Sequence, residues 1–424
     1  MMKERTLRVL EFTKIRDRLA SKAMTDMGRE RCEALVPSSN ITEIQRMQAE
    51  TEEATVILQY VGASPLVPFS DVRASLTLAE KGATLSPKAL LEVAALMQSA
   101  RAARKALDTE RDNTPILKEL AQRLSTLHNV EQDITNAIIS EDEIADRASN
   151  ELMDIRRHLR GANERIKEKL NQMIRSSAFQ KYLQDPIVTM RNDRYCLPVK
   201  AEYRGSVPGL VHDQSSTGAT LFIEPMAAVK ANNELRELRA REKTEIERIL
   251  AELSAECAAH REDISSDFDV LVRLDLIFAK AKLAYQLDAI APELTDKHLQ
   301  LRRARHPLLP KDTAVPIDVS LGGEFDTLVI TGPNTGGKTV TLKTIGLLAA
   351  MTQCGLHIPC ADGSTMPVFH EIMADIGDEQ SIEQSLSTFS AHMTNTVRML
   401  KECDDRSLLL FDELGAGTDP AEGA

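Results

Sequence analysis

Eight consecutive residues, Gly332-Pro333-Asn334-Thr335-Gly336-Gly337-Lys338-Thr339, fit the phosphate-binding pattern G-x-x-x-x-G-K-[ST]. Each residue type has a chemical reason to stand where it does. Glycines let the backbone turn its N–H groups inward around a phosphate. Lys338 adds an ammonium able to reach β- and γ-phosphates, and the Thr339 hydroxyl is a ligand for Mg²⁺. A second, acidic element begins 74 residues after Lys338, where the apolar run Leu408-Leu409-Leu410-Phe411 ends in Asp412-Glu413. Asp412 would hold Mg²⁺ through water, and Glu413 would orient and deprotonate an attacking water. The two elements together predict ATP hydrolysis with ATP and Mg²⁺ as cofactors. The alternative for the loop alone is a structural glycine-rich turn.

Such a site needs particular elements around it. Leu328-Val329-Ile330 predicts a short strand running into the loop. Val340 to Met351 predicts a helix leaving it, whose N-terminus adds partial positive charge. The strand at 408–411 would neighbour the one at 328–330 in a parallel sheet. Between them, Ser387-Thr388-Phe389-Ser390 precedes an expected helix from Ala391 to Leu400, where a serine is ordinarily a cap. Gln380 and Gln384 lie just before it.

The whole chain of 424 residues is long enough for two or three domains. It has only 15 aromatic residues and no Trp, with 27% charged and 42% apolar residues. Few aromatics and few glycines point to long helices rather than a β-sandwich or barrel, and the apolar content excludes full disorder. A net charge of −12 disfavours generic nucleic-acid binding by bulk charge. That charge is uneven: residues 296–424 hold 10 Lys/Arg against 18 Asp/Glu, and the first 295 hold 42 against 46. The longer part could therefore still present a basic face. Six scattered cysteines form no Cys-x-x-Cys pair and read as reduced thiols. No apolar stretch follows Met1, and Ile345 to Met351 is too short to span a bilayer, so a soluble cytoplasmic protein is expected.

Residues 7–35 read as one or two amphipathic helices, with Phe12, Ile15 and Leu19 on one face. After Pro37, Asn40 or Thr42 can cap a helix running to about Tyr60. Residues 62–72 are a connector, and Ser86-Pro87 opens another helix. Two long charged helices follow, with narrow seams at Leu152, Ile155, Leu159, Ile166, Leu170 and Met173, and at Leu235, Leu238, Ile246, Ile249, Leu253 and Cys257. Such seams suit an antiparallel coiled-coil arm, or alternatively two helices of a globular bundle. Residues 187–225 between them are rich in β-formers and punctuated by Gly and Pro, predicting a small β insert. Its Arg191, Arg194, Lys200 and Arg204 form either a phosphate-touching patch or a solvated strand face. Phe222-Ile223-Glu224 is a Phe-x-Glu triplet, but the apolar strand before it and Pro225 after it make Phe222 and Ile223 packing residues.

With these motifs in hand, the chain resembles the MutS family of ABC-type ATPases. The likeness rests on Thr331 with the loop, Arg305-His306-Pro307 upstream, Gly355 and Pro359 after the first helix, Ser387-Thr388-Phe389, and Asp412-Glu413-Leu414-Gly415-x-Gly417-Thr418. Leu10-Glu11-Phe12 with Lys14-Ile15, and Val211 to Thr220 running into Phe222-Ile223-Glu224-Pro225, resemble its second-type branch, the anti-recombination and ribosome-collision paralogues. The likeness covers essentially the whole chain.

The resemblance implies a mainly α protein followed by a partial α/β P-loop ATPase domain. Its segments would be a helical core or lever (1–120), the first arm helix (121–186), the β insert (187–226), the returning arm helix and lever (227–295) and the ATPase (296–424). It implies a homodimer with two shared ATP sites, in which Ser387 acts in trans on the γ-phosphate and Asn334 helps position nucleotide. It further implies an ATP-driven clamp on mismatched or branched DNA, or on collided ribosomes through rRNA, suppressing recombination or rescuing ribosomes. Arg305-His306-Pro307 needs no role beyond turn-making. The chain ends 11 residues after Glu413, so a C-terminally truncated fragment without the family's switch histidine or the branch's nuclease domain is expected. A nucleotide- and nucleic-acid-binding module without turnover is the alternative.

Overall fold

The structure, a computed structural model, describes residues 4–108, 113–333, 336–377 and 385–412, the side chains of 385–392 excepted. The chain forms two compact units, one of residues 1–71, 95–126 and 262–424, the other of residues 72–94 and 127–261. No helix among the described residues is long and apolar enough to cross a membrane.

The first unit opens with α1 (Glu4–Val9), α2 (Phe12–Ala20) and α3 (Asp26–Glu33). The expected one or two helices are thus three. The first break falls at Glu11, whose φ of 59° is left-handed. It lets Leu7, Leu10, Phe12, Ile15 and Leu19 all reach one core, which a straight helix could not do. Asn40 caps α4 (Ile41–Val61), its Oδ1 accepting from the N–H groups of Thr42 and Glu43. α7 (Pro115–Gln122), α12 (Arg261–Leu287), α13 (Lys338–Thr352) and α14 (Ser385–Glu402) complete its helices, along with the second part of α6 (Pro87–Leu107).

Its strands form two sheets. Four strands, β7 (Glu293–Thr295), β8 (Leu299–Ala304), β9 (Ile317–Leu321) and β10 (Thr365–Pro367), take the order β7-β10-β8-β9. β11 (Glu371–Asp375) and β12 (Ser407–Phe411) form a parallel pair with Asp375 opposite Phe411. One core joins the N-terminal helices to α13 and both sheets, from Leu7 and Phe12 through Leu299, Leu301 and Leu347 to Ile372 and Leu410.

The C-terminal end of α13 is held by polar side chains. Gln48 Nε2 donates to the carbonyls of Thr352 and Leu356, Thr51 Oγ1 to that of Gly355, and buried Lys280 to that of Cys354. Gly355 has φ 71° and a Cβ there would lie 2.3 Å from Met47 Cβ, so both conformation and space require glycine.

The second unit contains α5 (Arg73–Glu80), α8 (His128–Ala137), α9 (Asn150–Arg175), α10 (Ser177–Gln180) and α11 (Met226–Ala259). A short hairpin, β1 (Ile138–Ser140) with β2 (Glu143–Ile144), precedes α9. α9 and α11 run antiparallel, cross-linked by Ser149–Glu245, Arg156–Glu242 and Arg165–Glu234. Ile155, Leu159, Ile166, Leu170, Leu235 and Leu238 are buried in one cluster, while Met173 and Ile246 are only half-buried.

Between these helices lies an antiparallel sheet of order β3-β4-β6-β5, formed by β3 (Thr189–Arg191), β4 (Arg194–Lys200), β5 (Gly209–Gln214) and β6 (Thr220–Pro225). The fully buried Glu224 accepts hydrogen bonds from Arg194, His212 and Asn232. A buried carboxylate needs such partners, which turns Arg194 inward and removes it from the basic patch. Arg191 likewise pairs with Asp213 and stacks 4.1 Å over the Phe222 ring. Ile223 is fully buried, in keeping with a packing role.

Candidate nucleotide-binding site

The site is built at the N-terminus of α13. Gly337 is its N-cap, with φ 82° and no side chain to cap the helix. The first-turn N–H groups of any helix lack intrahelical acceptors, so Lys338, Thr339 and Val340 present theirs beyond the helix end. At Gly332 (φ 145°) and Gly337 an added Cβ would meet nothing within 4 Å, so open space lies beside this part of the loop. Gly336 N–H donates to Pro333 O at 2.9 Å. Lys338 Nζ donates to Gly332 O at 2.7 Å, which curls the ammonium back across the loop. That set of helix-end N–H groups and an ammonium suits a phosphate chain.

The acidic element arrives through a different neighbour than expected. Leu328-Val329-Ile330 is not a strand. Val329 is 76% exposed, and no described strand pairs with the segment, so its β-formers lack a ladder. β12 pairs instead with β11, and Asp412 N–H extends that ladder to Asp375 O at 3.0 Å. α13 packs against β12, where a Cβ on Gly346 would lie 2.5 Å from Leu410 Cδ1. The result brings Thr339 Oγ1 within 2.6 Å of Asp412 Oδ2, the hydroxyl donating. A hydroxyl and a carboxylate side by side are oxygen ligands of the type a hard cation such as Mg²⁺ takes, so the residues present fit that ion.

Two residues not singled out from sequence adjoin this pair. Asp375 is buried at the end of β11 and accepts from Asn395 Nδ2 of α14 at 2.7 Å. The signal was available, since Ile372-Met373-Ala374-Asp375 repeats the pattern of an apolar strand ending in a carboxylate. α14 begins at Ser385 rather than Ala391, which places Ser387 within its first turn. The Ser387 side chain and all of Asn334, Thr335, Gln380, Gln384 and Glu413 lie outside the described residues. Upstream, burial holds the His306 imidazole below its ordinary pKa, against the opposing pull of Glu11.

Comparison with known proteins gives this geometry a family. Residues 328–424 match the family model described as MutS domain V. The chain is 52% identical over 429 residues to "Endonuclease MutS2" of Acetivibrio thermocellus, and 52% identical over 427 residues to the protein of the same name from Clostridioides difficile. A third, from Geobacillus thermodenitrificans, is 51% identical over 427 residues. Each match takes in 100% of this chain and 54% of the relative, so the chain spans about half the length of these curated relatives. From end to end, then, this chain belongs to the MutS family, on its second-type branch.

Proposed function

We propose that the chain is the nucleotide-driven part of a homodimeric clamp, binding and hydrolysing ATP to control its grip on DNA or ribosomes. The 2.6 Å contact between Thr339 and Asp412 carries the reading, because it joins the phosphate loop to the acidic strand end across 73 residues of sequence. The loop from Gly332 to Lys338 would bind the phosphates, with Asn334 and Thr335 inside it. Thr339 and Asp412 would hold Mg²⁺, which when bound neutralises charge on the phosphoryl oxygens. Glu413, next after Asp412, would orient the attacking water and take its proton. Ser387, at the start of α14, would grip the γ-phosphate bound by the other subunit.

The names of the relatives supply the endonuclease activity to those proteins alone. For this chain, mismatched or branched DNA and the rRNA of collided ribosomes are the proposed targets, with suppression of recombination or ribosome rescue as outcome. Segments 1–120, 121–186, 187–226, 227–295 and 296–424 are the proposed lever, outgoing arm, insert, returning arm and motor. A cytoplasmic location follows from those targets.

Lys338→Ala tests the reading. Charge-assisted hydrogen bonds to phosphate contribute about 1.5–3 kcal/mol, so nucleotide should bind about 10- to 100-fold more weakly. With it should go the nucleotide dependence of co-sedimentation with collided ribosomes, or of a branched-DNA shift at matched salt. Unchanged nucleotide affinity would remove the motor from the reading. Binding to neither target in the parent chain would remove the clamp.

A further inference from the structure

We propose that the cavity walled by Arg305-His306-Pro307 is a binding site for a phosphate-bearing anion, separate in its residues from the 332–339 loop. The cavity holds about 400 Å³, enough for a pyrophosphate or a larger phosphate group. Arg18, Lys22, Arg305 and Lys311 line it, and no Asp or Glu does. This concentration of positive charge stands in a chain of net charge −12.

Each cation can be accounted for. Arg18 donates to the carbonyls of Pro307 at 2.7 Å and Leu308 at 3.3 Å, and Arg305 to that of Leu287 at 3.4 Å. Carbonyls orient a guanidinium without neutralising it, so both charges persist. Lys311 pairs with Asp288, whose carboxyl is held below its usual range by Lys311 first and by Arg305 further off. The Lys22 ammonium has no hydrogen-bond acceptor among the described residues, while its carbonyl accepts from Lys282 Nζ at 3.2 Å. His306 is buried, which holds its imidazole below the ordinary pKa, and its Nδ1 accepts the Leu308 N–H, fixing the turn that forms the wall.

Four positive charges therefore line one concavity, and the carboxylate of Asp288 is set against only two of them, Lys311 and Arg305. Like charges around a low-dielectric concavity repel each other and concentrate the field, and an entering anion relieves that cost. Guanidinium groups set by their own carbonyl bonds are suited to phosphate oxygens, and a flexible lysine completes the contact. The shared chemistry is a phosphate group, either of a free polyphosphate or of a nucleic-acid backbone. This role gives Arg305-His306-Pro307 a use beyond making a turn.

The test uses the full chain carrying Lys338→Ala, which weakens phosphate binding at the loop, with inorganic tripolyphosphate titrated by calorimetry at low salt. Saturable binding is expected, weakened at least tenfold when Lys22→Glu and Lys311→Glu are added. Lys311 is exposed and Lys22 half-buried, and an unchanged melting curve of that variant shows that the fold is kept. In the chain with Lys338 intact, the same two changes should leave ATP affinity at the loop as it was, which separates this site from the nucleotide reading. Displacement of tripolyphosphate by a short single-stranded oligonucleotide assigns the site to a nucleic-acid backbone. Displacement by ATP alone, or by neither, assigns it to a free polyphosphate. No saturable tripolyphosphate binding, or binding that the two charge reversals leave unchanged, overturns the proposal.

Discussion

Thr339 and Asp412 could each be picked out in the sequence by type, one closing a glycine-rich pattern and the other ending an apolar run. Their 2.6 Å contact could not, because it depends on how α13 lies on β12. If the pair holds Mg²⁺, the hydroxyl matters only when the ion is there. Thr339→Val keeps the shape of the side chain and removes that oxygen. Nucleotide affinity measured in EDTA should stay within about threefold of the parent. The gain on adding Mg²⁺ should fall by about tenfold or more, since a hydrogen bond to a charged group contributes about 1.5–3 kcal/mol. A variant with the parent's full Mg²⁺ dependence would take Thr339 out of the metal site. Asp375 and Asn395 show the limit of reading by residue type. Asp375 ends an apolar run as Asp412 does, but only the β11–β12 register sets it beside Asp412, and nothing in the spacing marks Asn395, which reaches Asp375 from α14.

Elements fixed by local chemistry were legible, whereas those fixed by distant partners were not. Asn40 caps α4 because its side chain meets N–H groups two and three residues on. Leu328 to Ile330 has the composition of a strand, yet a strand needs a ladder, and its own sequence cannot supply one. The left-handed Glu11 is similar, since the demand for it comes from the core that Leu10 and Phe12 enter. Buried polar groups on helices follow the same rule, and Asp267 of α12 is the most testable of them. It is 1% exposed, accepts the Ser125 N–H at 2.8 Å and has its carboxyl pushed up to about 7, mainly by burial. Asp263 adds to that shift, while Ser125 and Arg104 oppose it. Because the folded pKa exceeds the unfolded value, the native state binds the extra proton between about pH 4 and 7. Stability from this group is therefore present at the acid end and is lost as pH rises through 7. Asp267→Asn keeps an acceptor for Ser125 and cannot ionise. Urea unfolding should show it more stable than the parent at pH 8, on the order of 1–4 kcal/mol, and nearly equal at pH 4. An equal difference at both pH values would mean that Asp267 does not titrate with folding.

At the scale of the molecule, the acidity that argued against nucleic acid is concentrated in residues 296–424, within the unit that carries the phosphate loop. Every residue assigned to the proposed nucleotide site lies in that unit, whereas α9, α11 and the β3–β6 sheet lie in the other. A chain of two units need not unfold in one step, so a ligand of one unit can report on the division. A ligand bound only by the folded state stabilises by about 2.7 kcal/mol at 100 times its dissociation constant. For a unit of this size that corresponds to a rise of about 5–10 °C in its melting temperature. Calorimetry with Mg²⁺ and ADP should therefore move one transition by that amount and leave the other in place. Leu235 is 1% exposed in the core of α9, α11 and the small sheet, so Leu235→Ala marks that unit's transition by lowering it. The two perturbations should act on different peaks. If ADP raises the peak that Leu235→Ala lowers, the units share one cooperative core, and the motor cannot be treated apart from the arm it is proposed to drive.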